Sequence, residues 1–136
     1  MRSAILVALF VTTPVLADEE PIVKEISTFG LKITFPADPG GTANPEIITS
    51  ASQLSESPEL KDAAEEIKKQ VDFEKEKLVF IAWYGSFSDQ FTIEWNFSDK
   101  RTIVSFRVRP GSSLDYSKRT RLFVLPKEVG VQTASR

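Results

Sequence analysis

The chain has 136 residues, 26% charged and 41% hydrophobic, with a formal net charge of −2. It contains no cysteine and no histidine. That excludes disulfides, thiol chemistry, zinc held by Cys or His, lipid attachment to a cysteine, and any nucleophile activated by imidazole, while the near-balanced charge implies no general affinity for nucleic acid.

The first seventeen residues have the pattern of a secretory signal peptide. Arg2 gives a positive start, residues 4–11 form an apolar run too short to span a bilayer, and Val15-Leu16-Ala17 precedes the acidic Asp18-Glu19-Glu20. Cleavage leaves 119 residues, one domain with enough chain for a core, secreted or periplasmic and with no membrane segment. Without disulfides it must hold together by packing alone. Charge is uneven. Residues 18–76 carry fourteen carboxylates against six lysines, and residues 77–136 carry ten Lys and Arg against five carboxylates. Folding together, the two halves would partly neutralise each other.

Residues 18–30 read as a loose acidic segment. Leu31, Ile33 and Phe35 alternate with Lys32 and Thr34, which predicts a half-buried strand. The proline- and glycine-rich stretch 36–45 predicts an exposed loop; Asp38 and Asn44 within it are too few and wrongly spaced for a calcium loop. Ile47, Ile48 and Thr49 predict a short strand, and Ser50 or Ser52 caps a helical turn through Leu54. Ser57-Pro58 starts a helix over about 58–70. Leu60, Ala63, Ala64, Ile67 and Val71 form its apolar stripe, and Glu65 and Lys69 pair on its outer side.

Residues 77–85 are apolar on both faces and close on Gly85. Leu78, Phe80, Ala82 and Tyr84 point one way, and Val79, Ile81 and Trp83 the other, so this is a central strand covered on both sides, with the 58–70 helix on one of them. Phe91, Ile93, Trp95 and Phe97 then alternate with Thr92, Glu94 and Asn96. Val104, Phe106 and Val108 alternate with Ser105, Arg107 and Arg109. Residues 119–125 make a further strand ended by Pro126, and Val129 and Val131 an edge strand before a frayed tail at 132–136. Short connections favour an antiparallel meander or sandwich-like sheet. The fold class is α+β, in a single domain over residues 31–131.

Two groups of residues are candidates for binding. Arg107, Arg109, Arg119 and Arg121 collect on wet strand faces, with Arg101 and Lys118 nearby, and suit a carboxylate-, sulfate- or phosphate-bearing partner. Trp83 and Tyr84 border a small-residue turn with Ser86, Phe87 and Asp89, a plausible rim at a sheet end. Trp95 belongs with the core. The competing reading for both groups is structural: a solvated, ion-paired face and packed aromatics. Asp89, Glu94, Asp99 and Asp115 show no spacing that asks for a carboxylate pair across a cleft. No catalytic residue, cofactor or metal ligand is assigned.

The run Val71-Asp72-Phe73, residues 78–85, a small polar turn, residues 91–95 and Leu122-Phe123-Val124-Leu125-Pro126-Lys127 resembles the C-terminal module of PrcB-type bacterial protease-complex proteins, and a related group of uncharacterised secreted bacterial proteins. The resemblance covers roughly residues 71–131 and implies a small β module used for protein contact. The Thr-Gly-Gly-Tyr turn usual in that family is replaced here by residues 86–91, so no functional residue is carried over. The expected function is a secreted, non-enzymatic interaction module for a protein or anionic glycan partner, ahead of a carbohydrate-binding module and a small hydrolase.

Overall fold

The structure is a computed structural model that describes residues 23–37, 45–98 and 100–132. The segment expected to be a signal peptide, Asp38, Asn44, Asp99 and residues 133–136 lie outside the described residues. The architecture is α+β, with short helices, a four-stranded sheet and a three-stranded sheet stacked in that order.

The middle layer is built on β3 (Glu76–Gly85), paired antiparallel along its full length with β6 (Ser117–Pro126). Two three-residue strands flank them: β1 (Lys24–Ile26) against β6 and β2 (Glu46–Ile48) against β3. The order of this sheet A is β1-β6-β3-β2. Its strands obey the period of two. Leu78, Phe80 and Ala82, with Leu122 and Val124, face one side; Val79, Ile81 and Trp83, with Phe123 and Leu125, face the other.

The first face is covered by α1 (Ala51–Glu56), a 3-10 turn over Lys61–Ala63 and α2 (Ala64–Lys68). Ser50 caps α1 by accepting a hydrogen bond from the Gln53 N–H, and Leu54 is the buried contact of that helix. Leu60, Ala63, Ala64, Ile67 and Val71 are all buried against the sheet. The helix expected over 58–70 is therefore split into a turn, a 3-10 segment and one short α-helix, although its stripe is intact. Ser57 does not cap it, because the hydroxyl donates to Glu46 Oε1 at 3.0 Å. The Glu65–Lys69 pair is replaced by Glu65–Lys68 at 3.2 Å and Glu66–Lys69 at 3.5 Å.

The second face meets sheet B, made of β4 (Gln90–Ser98), β5 (Arg101–Arg109) and β7 (Gly130–Gln132) in that order. β4 and β5 form an antiparallel hairpin, and β7 joins β5 in parallel. Val104, Phe106 and Val129 are buried between the sheets, with Phe91, Ile93, Trp95, Val108 and Val131 partly buried beside them. Phe91, Phe106 and Phe123 stack or tilt together with centroids 5.0–6.1 Å apart.

Three expectations need correction. The successive strands β3 to β6 do not form a meander: residues 86–89 carry the chain from sheet A to sheet B, and residues 110–116 carry it back. β3 and β6, both apolar on two faces, become neighbours, because each needs cover on both sides. Residues 31–35 are not a strand. Leu31, Ile33 and Phe35 do pack on the core, but the Thr34 N–H donates to the Glu59 carbonyl at 2.9 Å and not to a sheet. Finally, the segment taken as loose contains β1, which Glu25 fastens to Arg121.

Candidate functional site

Both crossovers emerge at the same end of the sandwich, where Gly85 opposes Ser117 and Gln90 opposes Arg109. Asp89 ties them together. Its Oδ1 accepts from the Gly111 N–H at 2.8 Å and the Ser86 hydroxyl at 2.9 Å, and its Oδ2 accepts from the Ser86 N–H at 3.1 Å. Ser88 Oγ accepts from the Ser113 N–H at 3.1 Å and shares a hydrogen bond with Ser86 Oγ. The Gly111 N–H, with help from Ser86, holds the Asp89 carboxyl below the usual aspartate range, although lost hydration opposes it.

Two glycines permit this brace. A Cβ on Gly85 would run into the Asp89 carboxylate and the Trp83 indole, and one on Gly111 into Ser88. Trp83 is only 7% exposed and stacks on Phe91 at 5.7 Å. Its Nε1, beside Gly85, is buried without a hydrogen bond, as is Nε of Arg119, the residue opposite it in β6. Trp83, Ser86 and Asp89 thus lie inside the brace, and of the aromatic candidates only Tyr84 and Phe87 are presented outward.

The arginines do not make one surface. β5 and β6 belong to different sheets, so their arginines are not cross-strand neighbours. Arg107 and Arg109 alternate with the inward Val104, Phe106 and Val108, so they lie on the outer face of sheet B. There Arg107 Nε meets Glu94 at 3.0 Å beside a hollow of about 360 Å³ lined also by Gln90 and Thr92. Arg119 and Arg121 share the parity of Phe123 and Leu125 and lie on the inward side of sheet A. Arg121 binds both oxygens of Glu25 at 2.7 Å, with its guanidinium 4.4 Å from the Phe91 ring centroid and 5.4 Å from that of Phe123. It is an intramolecular clamp between the acidic first half of the chain and the basic second half.

The outside of the crossover end carries large apolar side chains among the exposed Ser112, Asp115 and Lys118. Phe87 is 72% exposed, Leu114 84%, Tyr116 64% and Tyr84 55%. Tyr84 leans on Phe35 at 4.9 Å, and Lys118 Nζ lies 5.6 Å from the centre of the Phe35 ring. Phe29, 96% exposed, follows β1 toward the same end, since Ile26 opposes Leu122 and the chain then runs toward the start of β6. Among the described residues the remaining large exposed apolar side chain, Phe97, lies at the opposite end of β4. Leu114 and Tyr116 were missed from the sequence; their signal was two large apolar side chains inside a segment with loop composition. Arg109 and Lys118 flank this patch.

At the other end, Lys77 lies between the sheets and donates from Nζ to the carbonyls of Lys127 (3.2 Å) and Val129, which holds the turn into β7. Burial lowers its pKa, and the nearby Arg101 lowers it further. Compared with protein-family models, curated proteins and solved structures, the chain matches none.

Proposed function

We propose that the chain is a secreted, non-enzymatic protein-interaction module whose contact surface is the crossover end. The observation that carries this reading is the gathering of Phe87, Leu114, Tyr116 and Tyr84 in water on connections that are themselves braced. Scattered exposed apolar residues are ordinary, but four of them at one end of the sandwich, on or beside braced connections, suit a contact site. Arg109 and Lys118 at its margin favour a partner whose apolar contact is ringed by carboxylates. The resemblance to PrcB-type modules points the same way.

Three of the four carboxylates of the β half are engaged within the chain. Asp89 is consumed by the brace, Glu94 by Arg107, and Asp115 accepts from the Ser113 hydroxyl. The carbohydrate reading loses its flat tryptophan platforms, since Trp83 is buried and Trp95 faces the core.

The test is a pull-down from the native secreted fraction with the wild type and the triple variant Phe87→Ser/Leu114→Ser/Tyr116→Ser. The expected result is a partner captured by the wild type, released by salt, and lost from the variant, while the two melt alike. Retention of the same partners by the variant would refute the assignment.

A further inference from the structure

The two sheets expose four edges, and they are not alike. β1, β2 and β7 are three residues each, and beyond them β6 (117–121), β3 (81–85) and β5 (106–109) leave only short open stretches among the described residues. β4 is nine residues long, and among the described residues it pairs only with β5. Its register with β5 runs without a bulge from Gln90 opposite Arg109 to Ser98 opposite Arg101. It contains no proline and no lysine, and its one charge, Glu94, is already matched by Arg107. Among the described residues none of the devices that protect a free edge is present, which leaves a row of backbone donors and acceptors about 30 Å long without a partner there. Its core-facing residues Phe91, Ile93 and Trp95 are only half-buried, and Phe97 is exposed.

We propose that this edge pairs with β4 of a second copy, antiparallel about a two-fold axis through Glu94, to make one continuous six-stranded sheet. Self-complementarity identifies the occupant. With Glu94 on the axis, Phe91 meets Phe97 of the second copy, Ile93 meets Trp95, Thr92 meets Asn96 and Gln90 meets Ser98. All nine residues pair, and every core-facing residue meets a core-facing one. Centring the pairing on a neighbouring residue leaves part of the strand unmatched. The one like-charge contact, Glu94 with its own copy, is flanked by two Arg107 guanidinium groups, so the centre is a neutral quartet. This surface is separate from the crossover end, and the two proposals stand or fall independently.

The chain has no native cysteine, so single cysteines report the register without background. In the purified full chain, Glu94→Cys forms an intermolecular disulfide under mild oxidation. Thr92→Cys alone does not, because its two copies lie about 14 Å apart by strand rise; a mixture of the Thr92→Cys and Asn96→Cys chains does. Sedimentation of the wild type from micromolar to millimolar concentration shows a reversible monomer–dimer equilibrium, with Trp95 emission shifting to the blue on association. Thr92→Lys/Asn96→Lys, on the wet face, opposes lysines across the axis and weakens the dimer about tenfold, while leaving the melting of the diluted monomer unchanged. A chain that stays monomeric to millimolar concentration overturns the proposal. So does a dimer indifferent to the two lysines, equal cross-linking of Thr92→Cys and Glu94→Cys, or an edge taken by an extended peptide of another protein while the chain remains monomeric.

Discussion

β3 and β5 are strands of similar length, joined by one hairpin arm, yet they live in different environments. In β3 every residue from Lys77 to Trp83 is buried; in β5 only Val104 and Phe106 are. Sheet A has helices on one face and sheet B on the other, and both of its edges are short. Sheet B has one dry face, one wet face and one long open edge. The difference follows from side-chain pattern. A strand apolar at consecutive positions must sit in the middle layer, whereas strict alternation suffices for an outer one. It also separates the layers by role: the middle layer is committed to packing, and the proposed contact groups lie on the outer sheet and the crossovers.

The sharpest way to break this comparison is to truncate equivalent apolar side chains in the two sheets. Phe123→Ala empties the centre of the inter-sheet cluster, where the ring touches Phe91 and Phe106, and should cost about 3–5 kcal/mol. Ile93→Ala, on the half-buried inner face of β4, should cost about 1–2 kcal/mol, because part of the side chain already meets water. Urea unfolding at matched m-values measures both. Equal losses would mean that sheet B is as tightly packed as sheet A and that its open edge is no special feature.

Gly85→Ala tests the crossover brace itself. The added methyl has nowhere to go between the Trp83 indole and the Asp89 carboxylate, and the strain of overpacking is about 1–3 kcal/mol. The same substitution should speed amide exchange at Gly111 and Ser113, whose N–H groups donate across the brace. At the other end of β3, Lys77→Met keeps the aliphatic stem and deletes the ammonium. Relief from burying a cation offsets part of the loss, but the Lys127 and Val129 carbonyls are left without their donor. The net destabilisation should be about 1–2 kcal/mol, with faster exchange confined to β7 and its turn.

The sequence made the middle layer legible because its signal is local. Unbroken apolar character over 78–83 demands cover on two faces, and the stripe through Leu60, Ala63, Ala64 and Ile67 supplies one of them. What periodicity conveys is which residues share a face, not which sheet the face belongs to. Arg107 and Arg119 look equivalent along the chain, but the 110–116 connection places them in different sheets, one on an outer face and one on an inner face. Residues 31–35 show the converse: the alternation was right and the pairing absent, since the Ile33 N–H closes a tight turn on the Leu31 carbonyl and Thr34 bonds to Glu59 in the helical layer. The short β1 was hidden by its charge. Its exposed glutamate meets Arg121 at the sheet edge, a contact between residues 96 apart that no local pattern announces. The crossover patch was half visible, through Tyr84 and Phe87, and half concealed in a loop.

The smallest expected effect concerns Asp89, and it separates the crossover end from the rest of the molecule by pH. Its pKa is depressed in the folded chain, first by the Gly111 N–H and then by Ser86. The folded state therefore holds its proton less tightly than the unfolded chain does. The stabilisation from this difference is complete above the unfolded value, about 4, and is lost as pH falls through the lower folded value. Glu76, lowered by the Asp72 N–H and by Lys24, loses its contribution in the same direction, so acid sensitivity alone does not identify the brace. Asp89→Asn does: its amide oxygen still accepts from Gly111, but it has no charge to titrate. Between pH 6 and pH 2 the unfolding midpoint of this variant should fall less steeply than that of the wild type, whereas Glu76→Gln should flatten the profile without altering exchange at Gly111. If Asp89→Asn follows the wild-type acid limb, the carboxylate is not what joins the two crossovers, and the rigidity of the contact surface must come from the packing of Trp83 on Phe91.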